Sequence, residues 1–345
     1  MAERVTIFDI AKEAGVSIAT VSRVMSGADN VRPSTRAKVM EVAHKYNFRP
    51  SMFASSLSKR RSRTLGMLAP LVDNPYYTKL CLAAQQEAQS SGYSIILYQL
   101  PAGTHLTRTF TDLLIAKHLD GLLICGDIIS ETNEQSIVES MRQIRQYMPV
   151  VMVCSEKPYG ECVCLCNGLD LAMRMSVHHL FHLGHERIAM LGGTGPSENP
   201  QTREYAYVDE MKARDLIPYP YTSGASLAEG TLCVLKLLNN LHGREAPSAV
   251  VCFNDLVALG ALKQFKKLGY RIPEDIALIG CDNQFFADYA DPPLTTIDLR
   301  IEETARLAVR TLISPGDLPT FHQTLQPTLV IRESCGAYLH KDPMA

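Results

Sequence analysis

The sequence predicts a small all-α head followed by an α/β body of two lobes, and three observations carry that prediction. The first is charge. Residues 1–64 hold twelve Lys and Arg against five Asp and Glu, while the remainder holds 22 against 31, so the net charge of −2 conceals a basic head on an acidic body. That asymmetry is the footprint of a module that meets a polyanion. The second is that the basic segment is full of patterned Val, Ile, Ala and Met, so it folds rather than trailing as a solvated tail. The third is a series of short apolar runs with helical segments between them: TLGMLAP (64–70), YSIILYQ (93–99), GLLICG (121–126), PVVMVCS (149–155), RIAMLGG (187–193), AVVCFN (249–254) and IALIGCD (276–282). These read as buried parallel strands of βαβ units. Roughly 280 residues of this pattern exceed one sheet, hence two lobes.

The bulk composition narrows the class further. At 46% hydrophobic, the chain has the means to bury a full core. No apolar run approaches the roughly 18 residues that span a bilayer. The opening MAERVTIFDIAKEAG shows neither an apolar signal core nor a small-residue cleavage site, so a cytoplasmic location is expected. The ten cysteines are then expected as thiols, most of them small core residues.

In the head, Thr6-x-x-Asp9 before an apolar pattern is an N-terminal capping signature, with Asp in the place usual for Glu or Gln. It predicts a helix to about Glu13. Gly15 then permits a tight turn, and Val16 is expected to be buried. Ser17 caps a second helix, 17–25, and Ser34 a third, about 34–46, with Val39, Val42, Ala43 and Tyr46 on one stripe. Three short helices with a glycine turn between the first two make a helix-turn-helix, assigned to residues 1–50. The second helix, "SIATVSRVM", has small residues at its N-terminal end, which lets its backbone sink into a DNA major groove. Ile18 and Ala19 suit thymine methyls, and Arg23 suits guanine O6 and N7. Ser17, Thr20 and Ser22 are short donors suited to phosphate oxygens.

Residues 51–63 are expected to be a hinge. Pro50 ends the third helix, and Ser51 to Ser58 make two helical turns, too short to be stable alone. Ala54 and Leu57 fall on one face, so two copies pack and drive Leu57 into a minor-groove base step, with Lys59, Arg60, Arg61 and Arg63 on the flanking phosphates.

These segments together, "TIFDIAKEAGVSIATVSRVMSG", the Asn30-Val31-Arg32 turn and "FRPS…A..L", closely resemble the lactose-repressor (LacI/GalR) family of bacterial transcription regulators. The resemblance implies that Ile18, Ala19 and Arg23 read bases and that Leu57 is the minor-groove wedge. It implies backbone or groove-edge contacts for Thr6, Ser17, Thr20, Ser22 and Asn30. The Ile18-Ala19 pair differs from some well-known members, so their operator sequences do not transfer.

The resemblance extends over residues 64–345 through "LGHERIAMLGG", "FNDLVALGAL" and "IPEDIALIGCDN". It implies a periplasmic-binding-protein-like (type I) body whose chain crosses between lobes three times, near residues 163, 295 and 325. The expected N-lobe is about 64–163 and 296–325, and the C-lobe about 164–295 and 326–340. The Pro-Pro start of "PPLTTIDL" (292–299) fits the second crossing.

Ligands of such folds sit beyond the carboxyl ends of the strands, in the cleft between lobes. Strand ends nominate Asn74, Tyr76 and Tyr77 from "DNPYY", Arg203 from "TREYAY", and Asn254 and Asp282. Arg, Asn and Asp make hydrogen-bonding forks for hydroxyl-rich molecules, and aromatic faces stack on sugar or base rings. The resemblance implies effector binding for Arg203 and Asp282. One departure bears on the effector: "PVVMVCS" ends in Cys154-Ser155 where relatives carry Asp-Arg, which removes a sugar-hydroxyl acceptor. With no Trp in the chain, any stacking platform is Tyr or Phe.

"ECVCLC" (161–166) and "HHLFHLGH" (178–185) invite a metal reading, but C-x-C-x-C is not the usual zinc spacing. Cys162, Cys164 and Cys166 are instead expected on one face of an extended chain. No G-x-S-x-G, P-loop, HExxH or G-x-G-x-x-G stands in place, so no catalytic set, metal or cofactor is expected. A transport-type binding protein would share the body but not the head. The expectation is a dimeric, sequence-specific DNA-binding regulator without enzymatic activity. It is read as a repressor released from a palindromic operator by a small carbohydrate; the alternative is a corepressor-dependent sensor of a nucleobase or similar metabolite.

Overall fold

A computed structural model describes residues 5–25, 28, 30–46, 48, 62–70, 74–100, 107–126, 134–154, 162–193, 200–241, 245–314 and 320–340. The chain divides into two compact units, Met1–Arg63 and Thr64–Ala345. The hinge residues Ala54 and Leu57 lie outside the described residues.

The head holds helices α1 (Ile7–Ala14), α2 (Ile18–Met25) and α3 (Pro33–Lys45). Asp9 closes the start of α1, accepting from the Thr6 backbone N–H at 2.8 Å and from its hydroxyl at 2.6 Å. Those bonds hold the Asp9 carboxyl below its usual pKa. Gly15 ends α1 in the left-handed region at φ 63°, which only glycine adopts freely. Ile10, Ala11, Ala14, Val21, Val24 and Val39 form the core, with Val16 and Val42 packed partly buried against it. Two expectations need correction. Pro33, not Ser34, opens α3: its fixed φ suits the first helical position, where a missing N–H costs nothing, and Arg32 is the cap residue. Tyr46 leaves the apolar stripe because the helix ends before it, and it is 40% exposed.

The body is two six-stranded sheets. In the N-lobe, β1 (Thr64–Ala69), α4 (Pro75–Ser90), β2 (Ser94–Gln99), α5 (Arg108–Ala116), β3 (Gly121–Cys125), α6 (Glu134–Arg145), β4 (Val150–Cys154) and β5 (Val163–Cys166) follow in order. The C-lobe takes α7 (Leu169–His182), β6 (Ile188–Leu191), α8 (Pro200–Lys212), β7 (Tyr219–Tyr221), α9 (Leu227–Asn239), β8 (Ala249–Cys252), α10 (Asp255–Lys267), β9 (Ala277–Cys281) and β10 (Thr295–Asp298). Helix α11 (Ile301–Ile313) and β11 (His322–Thr324) return to the N-lobe, and β12 (Thr328–Val330) to the C-lobe. The sheet orders are β11-β5-β4-β3-β1-β2, all parallel, and β12-β10-β9-β8-β6-β7, in which only the β10–β12 pair is antiparallel. All seven apolar runs form strands; six are buried and fill the cores of each lobe, but β2 lies at the edge of its sheet with no fully buried residue, against the expectation of a buried strand.

The first two crossings fall later than the sequence suggested. Strand β5 pairs with β4 and β11, so residues 163–166 belong to the N-lobe and the chain crosses at Asn167–Gly168. Strand β10 pairs with β9 and β12, so residues 295–298 belong to the C-lobe and the chain crosses at Leu299–Arg300. The Pro-Pro pair precedes a buried strand instead of making the crossing. The third passage, at 325–327, joins β11 to β12. Both early crossings enter a helix through a left-handed residue, Gly168 at φ 58° and Arg300 at φ 56°.

Cys162, Cys164 and Cys166 lie in one buried cluster, while Val163 and Leu165 face the opposite core, as alternation along a strand requires. Among the described residues, no group of three or more His, Cys, Asp or Glu is placed to hold a metal. The His178 and His182 rings lie 4.1 Å apart at a tilt of 53°, and His185 bonds the Ser248 hydroxyl at 3.0 Å. No described helix is long and apolar enough to cross a membrane.

Candidate functional site

Helix α2 has two faces. Val21 and Val24 point into the head core, and Ile18, Ala19, Ser22 and Arg23 are exposed, at spacings that place them on one side of the helix. Ile18 is 41% exposed. The Ser17 hydroxyl accepts from the Thr20 N–H at 3.2 Å and shares a 2.9 Å hydrogen bond with its hydroxyl, so Ser17 caps α2. Arg23 folds back along the helix, its Nε donating to the Ala19 carbonyl at 3.2 Å. Asn30 is exposed in the turn before α3. Thr6 stands apart in role, since both its backbone N–H and its hydroxyl donate to Asp9.

In the body, the expected cleft residues do not all behave alike. Asn74 caps α4, its side chain accepting from the Tyr76 N–H at 3.0 Å. Tyr77 turns inward and is 3% exposed; Gly126, at φ 73°, makes room for its ring, because a Cβ there would stand 3.0 Å from the Tyr77 ring and nearer still to its hydroxyl. Tyr76 packs edge-on against Tyr77 at 5.0 Å and donates its hydroxyl to Asn167 Oδ1 at 2.9 Å. Asn167 donates in turn to the Leu299 carbonyl at 2.8 Å and the Thr304 hydroxyl at 3.0 Å. Tyr76 is thereby fastened to the first and second crossings.

Arg203 and Asp282 are both buried, each 5% exposed. The Arg203 guanidinium lies over the Phe253 ring at 4.0 Å and donates to the Phe253 carbonyl. Asp282 follows β9 in the left-handed region at φ 109°, its N–H on the Ile297 carbonyl at 2.9 Å. Both charges act on one sulfur: burial pushes the Cys281 thiol up, Asp282 adds to that and Arg203 opposes it. Arg203 thus sits at the Phe253 carbonyl just after β8 and Asp282 just after the neighbouring strand β9, a cation and an anion both taken out of water. Asn254 is the exception. Its Oδ1 accepts from the Val257 N–H at 2.8 Å and caps α10, while its Nδ2 donates to the Ala225 carbonyl before α9 at 2.9 Å, so both ends of its amide are engaged within the C-lobe.

Sequence reasoning passed over Asp255. It is fully buried and accepts from the Gln284 N–H at 2.7 Å and the Thr296 hydroxyl at 2.6 Å. Burial pushes its carboxyl up to about 7, against the pull of Thr296, Gln284, Arg332 and Lys79. Only its place beside Asn254 hinted at this. Asn167 and Lys79 were also missed, for their partners are remote in the chain.

An exposed reading face on a basic three-helix head, joined to a two-lobed body with charged groups gathered at its strand ends, defines a DNA-binding transcriptional regulator with a ligand-sensing body. Residues 6–51 match the signature of bacterial regulatory proteins of the lacI family, and residues 177–335 that of the periplasmic binding protein-like domain. The repressor CytR of Escherichia coli K12 is 30% identical over 89% of this chain and 89% of its own. The ribose operon repressor of Haemophilus influenzae is 28% identical over 95% of this chain and 98% of its own. The Lac repressor dimer, solved bound to operator and the anti-inducer ONPF, superposes with a TM-score of 0.87 at 25% identity, covering 96% of this chain and 99% of that one. The chain belongs to the lacI family of bacterial regulatory proteins.

Proposed function

We propose that the chain acts in the cytoplasm as a homodimeric repressor that binds a palindromic operator and leaves it when a small carbohydrate fills the cleft between its lobes. It works by binding and not by catalysis. Arg203 and Asp282 are the effector-contacting pair, with Tyr76 the aromatic wall; Asn74 and Tyr77 set the position of that wall, and Asn254 shapes the cleft as a cap. On DNA, Ile18, Ala19 and Arg23 read bases, Ser17, Thr20, Ser22, Asn30 and Thr6 contact backbone or groove edges, and Ala54 with Leu57 forms the hinge wedge.

The observation that carries the effector reading is the burial of Arg203, held at the Phe253 carbonyl just after β8, and of Asp282, just after the neighbouring β9, because charged groups at strand ends are the hydrogen-bonding equipment a hydroxyl-rich ligand uses. A ribose operon repressor among the relatives supports a sugar. The dimer is supported by Phe285 and Tyr289, 77% and 85% exposed on one loop, and by Ile96 and Leu97 exposed on the edge strand β2, apolar surface that a monomer rarely leaves bare.

The test is thermal unfolding against ribose, cellobiose, sugar phosphates and nucleobases. A ligand at a hundred times its Kd adds about 2.7 kcal/mol. A sugar that stabilises the wild type but not Arg203→Ala supports the reading. A nucleobase that raises operator affinity replaces it with the corepressor mechanism.

A further inference from the structure

The turn that carries Asp282 is gripped from both lobes. Asp282 and Asn283 stand consecutively at positive φ, 109° and 47°; asparagine tolerates the left-handed region, whereas 109° is rare for a residue with a side chain and persists where its surroundings hold it. Asn283 has a partner for each of its polar groups. Its N–H donates to the Thr296 hydroxyl at 3.3 Å, its Nδ2 to Asp298 at 3.0 Å, and its Oδ1 accepts from Arg332 at 2.9 Å. Its carbonyl accepts from Lys79 Nζ at 3.1 Å. The next residue, Gln284, donates its N–H to Asp255 at 2.7 Å.

Of these partners, Lys79 alone belongs to the N-lobe. It sits on α4 between Tyr77 and Leu80, both buried in the N-lobe core, so its backbone moves with that lobe. Thr296, Asp298, Arg332 and Asp255 are on C-lobe segments and move with Asn283. A change in the angle between lobes therefore acts on the Lys79 bond and leaves the others intact.

We propose that Lys79 is a positioning residue: its bond to the Asn283 carbonyl is the clasp through which the N-lobe restrains the Asp282 turn, so that lobe angle and the placement of the Asp282 carboxylate change together. The inference rests on Asp282 as an effector contact and adds the route by which cleft occupancy reaches the N-lobe. An ammonium on a carbonyl is a charge-assisted bond, stronger than a neutral one, and its loss removes an N-lobe restraint on the turn.

Hydrogen–deuterium exchange of the full-length protein, read by mass spectrometry with no ligand present, tests it. Lys79→Met keeps the apolar stem and removes the charge. It should speed exchange in a peptide spanning 281–287 by about tenfold or more, leave β8 peptides unchanged and hold Tm within about 2 °C, while Lys79→Arg restores protection. Unchanged exchange at 281–287 in the Met variant overturns the clasp. So does a general rise that includes β8, which would make Lys79 a plain stability residue. The outcome is separable from the effector reading. Altered exchange with a silent ligand panel keeps the clasp and removes the effector role. A sugar hit abolished by Arg203→Ala, with exchange unmoved, does the reverse.

Discussion

Tyr76 and Asn167 are 91 residues apart in the chain, yet the tyrosine hydroxyl donates to the asparagine side-chain oxygen Oδ1 at 2.9 Å. The same asparagine holds the Leu299 carbonyl and the Thr304 hydroxyl, so one side chain ties Tyr76 to two lobe crossings. Asn167→Ala strands buried polar groups and should cost about 2–3 kcal/mol, whereas Tyr76→Phe, which leaves Asn167 two of its partners, should cost about 1 kcal/mol. Urea unfolding of the two variants checks the ordering; equal costs would mean that Asn167 is not the shared anchor.

Helices α9 and α10 touch backbone to backbone through Gly230 and Gly260. A Cβ at Gly230 would stand 2.9 Å from the Val257 carbonyl carbon, and one at Gly260 2.9 Å from that of Leu227, with the oxygens closer still. Because the obstacle is backbone, a rotamer change gives no relief. Either glycine to alanine should cost about 1–3 kcal/mol by forcing the helices apart. Calorimetry reads this directly, and a neutral substitution would show that the helices separate freely.

Asp255 makes stability fall with rising pH. Its carboxyl is pushed up to about 7 from an ordinary value of 3.8. Between those values the unfolded chain has given up the proton while the folded protein keeps it, so the native state loses ground from about pH 4 to 7 and is level above. A displacement of that size is on the order of 4 kcal/mol. Asp255→Asn carries no charge at any pH. The wild type should therefore lose several kcal/mol relative to this variant between about pH 4 and 8, measured by urea unfolding. A difference that stays constant with pH would show that Asp255 is ionised throughout.

Arg23 on the exposed face of α2 gives the prediction for DNA. If it reads a guanine, Arg23→Ala should weaken binding to a duplex selected from a random library by about 10–100-fold while hardly changing affinity for unselected DNA. Arg23→Lys should recover only part, since one ammonium does not replace a two-pronged fork. Fluorescence anisotropy at fixed salt measures both. Equal loss on selected and unselected duplexes would reduce Arg23 to a phosphate contact.

What the sequence determined by itself was local. The Thr6–Asp9 cap, the glycine turn at residue 15, the buried and exposed faces of α2, and the seven apolar strands each rest on patterns within a few residues of one another, and the structure reproduces them. The basic head on an acidic body was legible in the same way, as a count. Tertiary structure decided the rest. Whether a four-residue strand such as β5 or β10 joins one lobe or the other depends on the strand beside it, so the first two crossings fall a few residues later than the sequence suggested, while the third falls where expected. Whether Tyr77 or Asn254 faces a ligand or its own helix depends on what packs above it, here Gly126 and the Val257 N–H. The Lys79–Asn283 clasp joins residues 204 apart. Helix caps and hydrophobic periods are energies of neighbouring residues and are written along the chain; a cleft is made of contacts between distant segments, which exist only once the two sheets have formed and set the lobes against each other.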